Sequence, residues 1–158
     1  MKIYLDTNAF YFFFFDDNNY SKGIKKVISS ITAGQNEGIT SSLTLDELSY
    51  SILMRLIEKK YNSHPTEILR KNRNVIAEFS GIIEDVFITI LSLDNIRIIP
   101  ADRDVCSLIP IYMKKYSLLP RDCIHLATMH HNECDQILST DTDFDNISGI
   151  SRIDPNKV

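Results

Sequence analysis

The chain has 158 residues, which is enough for one ordinary domain with a core of its own. Hydrophobic residues make up 44% and charged residues 24%, and these values exclude a disordered chain or a fibrous repeat. The net charge of −4 argues against a protein that binds nucleic acid by bulk positive charge alone. We therefore expect a single globular domain over residues 1–158.

The cysteines and the apolar segments indicate the compartment. Cys106, Cys123 and Cys134 include no C-x-x-C pair, so neither a disulfide framework nor a zinc knuckle is predicted. The first apolar stretch reaches Asp6 after three residues, which is too short for the core of a signal peptide. No segment approaches the roughly 20 apolar residues of a membrane span. We expect a cytoplasmic protein with no membrane partner.

The first part of the chain alternates between strand and helix patterns. Residues 2–5 are β-prone and stop at Asp6, which begins a turn-forming group. Residues 21–33 place apolar side chains at i, i+3, i+4 and i+7, which predicts an amphipathic helix that ends at Gly34. A brief strand is predicted at residues 38–40.

The middle of the chain is predicted to be helical. Apolar spacing predicts a helix that ends near Lys60, and Pro65 is suited to the first position of a shorter one. The apolar positions from residue 75 to residue 91 follow the helical period closely. Residues 96–99 then read as a strand.

The last third of the chain returns to alternation. Asp102 is predicted to cap a helix that continues to Tyr116, with a kink at Pro110. A helix over residues 120–131 begins with proline at its first position, and residues 136–139 form a strand.

Residues 151–153 are the last predicted strand. Short strands separated by helices need crossover connections, and crossovers imply a parallel sheet covered on both faces. The expected fold class is α/β, with a central parallel sheet between two layers of helices.

Four carboxylates are candidates for one site. Asp6 and Asp141 follow predicted strands, whereas Glu47 and Asp122 lie in the first turns of predicted helices. In open α/β sheets, ligands bind beyond the carboxyl ends of the strands, where such positions converge. Carboxylates held that close repel one another unless cations lie between them, and hard oxygen ligands favour Mg²⁺ or Mn²⁺. This pattern predicts a metal site that can activate water against a phosphodiester.

Each carboxylate also has a purely structural interpretation. Asp6 can end a strand in a turn, and Asp141 can be a turn or cap residue. Glu47 completes a capping-box pattern that begins at Thr44, and Asp122 faces the positive end of its helix. Taken singly, these interpretations are the more common ones. The coincidence of four such residues near one sheet edge favours a common site.

Other metal sites are disfavoured. A calcium loop that starts at Asp141 would need glycine where Asn146 stands and glutamate where Arg152 stands. The histidines form no H-E-x-x-H motif, so we expect His125 to be structural or exposed.

Two further patterns concern the surface. Basic residues are grouped, although such groups are usually solvated helix faces. The groups are Lys22/Lys25/Lys26, Lys59/Lys60, Arg70/Lys71/Arg73 and Lys114/Lys115. Phe10 and the aromatic run from Phe12 to Phe15 exceed what one helix face can bury, so they predict contact of some rings with a partner subunit, although a local core cluster is the more common use of such rings.

Motifs at both ends of the chain, in this order, resemble those of PIN-domain nucleases. They are Leu5-Asp6-Thr7-Asn8, Glu47 in a helix after a Ser/Thr-rich turn, Pro120-Arg121-Asp122-Cys123-Ile124-His125-Leu126-Ala127, and Ser139-Thr140-Asp141-Thr142-Asp143-Phe144. Residues 62–92 carry no motif and match the variable helical region of the family by position alone.

The resemblance implies a parallel sheet with acids around one or two divalent cations that cut single-stranded RNA. By motif, the metal-binding and catalytic acids are Asp6, Glu47, Asp122 and Asp141, with Asp143 as a further acid and Thr7, Asn8 and Thr140 as supporting polar residues. Because Asp46 is adjacent to Glu47, the phase of the helix decides which of the two faces inward.

Many proteins with this resemblance are VapC-type toxins, which form homodimers and are blocked by an antitoxin. The alternatives are an RNA-processing PIN nuclease that is not a toxin, or an inactive module that binds RNA or protein. A phosphoacceptor signalling domain is disfavoured, because no lysine follows Asp141 until Lys157.

Overall fold

In a computed structural model, which describes residues 1–16 and 19–158, the strands form one parallel sheet. The strands are β1 (Lys2–Leu5), β2 (Glu37–Ser41), β3 (Ile96–Ile99), β4 (Gln136–Leu138) and β5 (Ser151–Ile153). Their order in the sheet is β3-β2-β1-β4-β5, and every neighbouring pair is parallel. The predicted α/β class with a central parallel sheet is confirmed.

The helices connect these strands as crossovers. They are α1 (Thr7–Phe14), α2 (Ser21–Thr32), α3 (Ser42–Tyr61), α4 (Pro65–Lys71), α5 (Val75–Leu91), α6 (Arg103–Ser107), α7 (Ile109–Tyr116) and α8 (Pro120–His131). Short 3-10 helices follow β4 at Thr142–Asn146 and β5 at Pro155–Lys157. No helix in the described ranges is long and apolar enough to cross a membrane.

Helices cover both faces of the sheet. Tyr4, Ile39 and Ile137 are neighbours in register, and they share a buried cluster with side chains of α8. Gly38 precedes Ile39 on β2 and therefore faces the opposite side, where an added Cβ would meet Ile31 of α2. The sheet thus lies between α8 on one face and α2 on the other, as a three-layer α/β/α arrangement requires.

The strand order reverses its direction at β1. From β1 the chain proceeds to β2 and β3 on one side, and it then crosses to β4 on the other side of β1. Leu5 and Leu138 are paired in register, so Asp6 and Ser139 leave the sheet side by side. In open α/β sheets, this reversal of direction is where ligands bind.

The described chain divides into two compact units. The first contains Met1–Leu45 and Asp94–Val158, including the whole sheet, and the second contains Asp46–Leu93. The second unit has its own apolar cluster around Ile57, Val75 and Phe79, to which α3, α4 and α5 contribute. The single domain expected over residues 1–158 remains a prediction.

Two predicted elements differ from the structure. The turn expected at Asp6 is the N-cap of a helix, α1, because the Asp6 carboxylate accepts a hydrogen bond from the backbone N–H of Thr7. The helix expected from Asp102 to Tyr116 is two helices, α6 and α7, which meet at Leu108. Pro110 lies in the first turn of α7, where its missing N–H costs no helical hydrogen bond.

Candidate metal centre

Asp6 is a buried carboxylate held in one orientation. Its side chain is 5% exposed and lies at the start of α1, directly after β1. Oδ1 accepts a hydrogen bond from Thr7 N at 2.7 Å, and Oδ2 accepts one from the Ser139 hydroxyl at 2.6 Å. The amide of Asn8 lies 3.4 Å from Oδ2. These donors fix the direction of both carboxylate oxygens.

Ser139 links Asp6 to the loop that follows β4. Its hydroxyl donates to Asp6 and accepts a hydrogen bond from the backbone N–H of Asp141 at 2.9 Å. The Ser139 carbonyl accepts from Nη1 of Arg152 at 3.1 Å, and the same guanidinium pairs with Asp145 through Nε at 2.7 Å and Nη2 at 2.8 Å. The segment that carries Asp141 is therefore tied to β1 at one end and to β5 at the other.

Three carboxylates from two elements form a cluster at this edge. Oxygens of Asp122, Asp141 and Asp143 all lie within 4.8 Å of one another. Asp122 lies in the first turn of α8, where proline at the first position starts the helix. Asp141 caps the 3-10 helix by accepting from Asp143 N at 2.9 Å, so the loop folds its two acids toward each other.

The cluster raises the pKa of Asp122 from 3.8 to about 6. Burial is the largest cause, because it penalises the charged form, and the negative charge of Asp141 is the next. Asp6 and Asp143 raise the pKa further, whereas His125 lowers it. Asp122 therefore responds to both Asp6 and the Asp141 loop, which is the electrostatic signature of acids gathered at one place.

Behind Asp6 lies a buried pair of rings. Nδ1 of His125 is 2.7 Å from the Tyr4 hydroxyl, and Nε2 is 3.9 Å from Oδ1 of Asp6. Both residues are almost fully buried, and the rings meet edge to face. Burial raises the pKa of Tyr4 well above its ordinary value, so its hydroxyl keeps its proton.

Glu47 belongs to the second compact unit, whereas the other candidate acids belong to the first. It is half-buried on α3, in the second unit, so its place among the acids remains a prediction. The capping-box interpretation of Thr44 and Glu47 is wrong, because α3 already begins at Ser42 and both residues lie inside it. Thr140 is half-buried between Ser139 and Asp141.

Sequence reasoning missed three residues that contact this site. His125 follows Asp122 by three positions, which places both on one face of α8, and this spacing was an available signal. Ser139 stands directly after β4, as Asp6 does after β1. Tyr4 carries no comparable signal, because a tyrosine inside a strand is indistinguishable from an ordinary core residue.

Solved structures with a similar fold include toxin–antitoxin proteins. A toxin–antitoxin complex from Klebsiella pneumoniae matches with a TM-score of 0.61 and 19% identity, covering 97% of each chain. VapBC2 from Rickettsia felis, bound to a promoter DNA fragment, matches with a TM-score of 0.60 and 13% identity over 97% of this chain and 98% of that one. VapC20 from Mycobacterium tuberculosis, a toxin that cleaves the sarcin-ricin loop, matches with a TM-score of 0.57 and 15% identity, covering 90% and 92%.

At such identities these neighbours support the fold alone. Among curated proteins, no sequence matches this chain. The family model of the PIN domain, in contrast, matches residues 3–150, which include every acid of the cluster, and the resemblance drawn from the motifs is thereby confirmed. The chain belongs to the PIN-domain family.

Proposed function

We propose that this protein is a divalent-metal-dependent endoribonuclease that hydrolyses phosphodiester bonds of single-stranded RNA. The observation that carries the proposal is the carboxylate cluster of Asp122, Asp141 and Asp143 beside the buried Asp6, at the reversal point of the sheet. Membership of the PIN-domain family supports the same activity.

The residues present fit Mg²⁺ or Mn²⁺. Every donor in the cluster is a carboxylate oxygen, which is the ligand type that hard divalent cations prefer. The pKa of Asp122 is raised first by burial and then by repulsion from neighbouring carboxylates, and a cation would relieve the repulsion. When bound, the cation would lower the pKa of a water molecule and neutralise charge that develops on the phosphodiester.

Each candidate site residue has a role in the proposed reaction. Asp122, Asp141 and Asp143 would hold the cation, and Asp6 would contribute a carboxylate whose direction Ser139 and Thr7 fix. Glu47 completes the proposed set of catalytic acids. The supporting polar residues would orient water or the RNA backbone; they are Thr7, Asn8 and Thr140.

The decisive experiment compares two isosteric substitutions. Purified protein is mixed with a fluorescently labelled unstructured RNA in Mn²⁺, in Mg²⁺ and in chelator. Cleavage is expected with either cation and not with chelator. Asp141→Asn should lower kcat/KM by about 100-fold or more, since a bound cation contributes several kcal/mol of transition-state stabilisation. Asp104→Asn, an exposed position on α6, removes the same charge and should cleave like the wild type.

Other results would assign the chain differently. Folded wild-type protein that neither cleaves several unstructured RNAs nor gains thermal stability from Mn²⁺ is an inactive binding module. Equal cleavage by the wild type and Asp141→Asn indicates a contaminating nuclease, and the proposal then loses its support.

We further propose that the nuclease is the toxin of a toxin–antitoxin pair and acts on cytoplasmic RNA. The structural neighbours that are toxin–antitoxin complexes support this assignment. A small open reading frame beside the gene, whose product copurifies with the chain and blocks cleavage, is expected. Growth unaffected by induction of the wild type alone favours the RNA-processing nuclease that is not a toxin.

A homodimer belongs to the same proposal. Phe10 is fully buried in α1, whereas the rings from Tyr11 to Phe15 are half-buried and form ring contacts with one another. Phe12 also contacts the ring of Tyr20, yet all five rings keep part of their surface exposed, and burial of that surface against a second copy would remove it from water. Light scattering at micromolar concentration should give the mass of a dimer, and a monomer mass would contradict the proposal.

A further inference from the structure

A concave site in the second unit is separate from the carboxylate cluster. It encloses about 310 Å³ and is formed by α3, α4 and the residues after α4. Its lining residues are Tyr50, Met54, Thr66, Leu69, Arg70 and Arg73. Every one of them lies within Asp46–Leu93, so the site is complete in one compact unit.

The lining combines a half-exposed ring with cationic groups. Tyr50 is 52% exposed, and Met54 and Leu69 supply apolar walls beside it. Arg70 and Arg73 are exposed, and neither guanidinium forms a hydrogen bond or an ion pair in the described part of the chain. Among the residues that the structure describes, no carboxylate lines the site.

The arginines differ from another basic residue of the same unit. Lys60 is paired with Glu78 and lies over the ring of Phe79, so its charge is already compensated. Arg70 in the last turn of α4 is favourably placed against the helix dipole. That placement explains a basic residue at the helix end, but it does not explain why a half-exposed tyrosine ring lines the same cavity.

We propose that this pocket, defined by Tyr50, Arg70 and Arg73, binds single-stranded RNA. A base stacks on the Tyr50 ring while the two guanidinium groups contact phosphates. Single-stranded nucleic acid is typically bound by such a pairing of aromatic rings with positive charge, and planar guanidinium groups match phosphate geometry. The inference rests on the proposed function in one respect, because the proposed ribonuclease activity is the reason for taking RNA as the ligand.

The pocket would also explain how a chain of net charge −4 holds RNA. Non-specific RNA binding needs local clusters of positive charge, and it does not need a positive total. The basic group Arg70/Lys71/Arg73 is then more than a solvated helix face. An acidic peptide would satisfy the arginines but would leave the flat face of Tyr50 without a matching surface.

Binding can be measured apart from cleavage. The probe is a short fluorescein-labelled oligouridylate, titrated with the full chain in chelator and followed by fluorescence anisotropy. The double substitution Arg70→Gln with Arg73→Gln should raise Kd about ten-fold at moderate salt. It should also flatten the plot of log affinity against log salt by about 0.7 for each lost phosphate contact.

Matched variants separate the pocket from net charge. Arg103→Gln with Lys114→Gln removes the same two charges from exposed positions on α6 and α7 and should bind like the wild type. Tyr50→Ala should raise Kd about ten-fold, whereas Tyr50→Phe keeps the stacking face and should change it little. Circular dichroism checks that each variant is folded.

Several results would overturn the inference. The first is a wild type that does not bind the RNA probe. The second is an equal loss of RNA affinity in the control pair, and the third is no loss of RNA affinity in Tyr50→Ala. The fourth is a labelled polyglutamate peptide that binds at the pocket while the pocket variants keep the RNA affinity of the wild type. Cleavage assays identify which proposal fails. RNA binding through the pocket without any cleavage contradicts the nuclease alone, whereas cleavage with unchanged KM in the pocket variants contradicts this inference alone.

Discussion

The hydroxyl of Tyr4 lies 2.7 Å from Nδ1 of His125, and this contact determines how the imidazole faces Asp6. When the Tyr4 hydroxyl donates to Nδ1, the ring proton lies on Nε2, the nitrogen that is 3.9 Å from the Asp6 carboxylate. A positive edge of the ring then faces the acid. We therefore expect Tyr4 and His125 to position Asp6, in the way that outer hydrogen-bond partners orient the ligands of metal sites.

Tyr4→Phe tests this relationship. The substitution keeps the ring and removes one oxygen, so it leaves Nδ1 of a buried imidazole without its partner. We expect the free energy of unfolding to fall by about 1–3 kcal/mol and the Mn²⁺ affinity to fall about ten-fold. Urea denaturation measures the first quantity, and calorimetric titration with Mn²⁺ measures the second.

Tyr112→Phe is the matched control. The Tyr112 hydroxyl is also 2.7 Å from Nδ1 of a histidine, His130, but that pair is exposed, and His130 lies in the last turn of α8 whereas Asp122 lies in the first. Water replaces the lost partner there, so stability and Mn²⁺ affinity should stay close to those of the wild type. If Tyr4→Phe loses stability while its Mn²⁺ affinity is unchanged, Tyr4 has a structural role only.

The raised pKa of Asp122 predicts how stability depends on pH without metal. Because that pKa rises from 3.8 to about 6 on folding, the folded chain binds the proton more tightly than the unfolded chain does. The contribution of this group therefore favours folding at low pH, and it is lost as the pH rises from about 4 to about 6. Because asparagine does not ionise, Asp122→Asn should not lose this stability as the pH rises. Its melting temperature should exceed that of the wild type above pH 6 and approach it near pH 4.

With divalent cations, the wild type should become more stable at pH 7 relative to Asp122→Asn. Mn²⁺ binds the ionised carboxylate, so the wild type should gain thermal stability from Mn²⁺ at pH 7, and much less of it below pH 5. Asp122→Asn should gain little at either pH. Thermal melts at both pH values, with Asp104→Asn as the reference for loss of an exposed charge, make the comparison.

Much of the sheet could be predicted from the sequence, because each strand is a short β-prone run bounded by residues that start or end helices. β1 and β3 were predicted with the bounds that the structure has. The acids Asp6 and Asp141 could be placed at one edge for the same reason, since parallel strands share an orientation. The position of Asp122 in the first turn of a helix could also be predicted, because Pro120 marks the start of α8.

The remaining features depend on contacts that no local pattern encodes. The helix α1 was not predicted, because its aromatic run has no amphipathic period, and only the capping hydrogen bond of Asp6 reveals where it begins. The pairing of Tyr4 with His125 joins residues 121 positions apart in sequence. The raised pKa of Asp122 likewise needs the packing of α8 against the loop after β4.

Arg152 should set the position of the loop that carries Asp141. Its side chain is only 9% exposed, and its guanidinium bridges the Ser139 carbonyl and the Asp145 carboxylate. Lysine cannot make all three hydrogen bonds, so Arg152→Lys should lower the free energy of unfolding by about 1 kcal/mol, mainly through the Ser139 contact. Mn²⁺ affinity should fall as well.

Asp145→Asn separates the two contacts of Arg152. It weakens an ion pair whose Asp145 side chain is 46% exposed, and it leaves the Ser139 contact in place, so stability should fall by less than in Arg152→Lys. Urea denaturation and Mn²⁺ titration compare both variants. An Arg152→Lys protein as stable as the wild type, with the same Mn²⁺ affinity, would show that the loop keeps its shape without the guanidinium.

Two glycines in helices should respond oppositely to the same substitution. Alanine is favoured over glycine in a helix by about 1 kcal/mol, and a Cβ at Gly81 of α5 would meet no atom within 4 Å. Gly81→Ala should therefore raise the free energy of unfolding by about that amount.

At Gly23 of α2 the same Cβ would collide with the backbone carbonyl of Pro155, which cannot move as a flexible side chain does. Gly23→Ala should lower stability by about 1–3 kcal/mol, because the clash exceeds the gain in propensity. Urea denaturation of both variants gives the signs, and a stabilised Gly23→Ala would mean that the 3-10 helix at Pro155–Lys157 is not packed against α2 in solution.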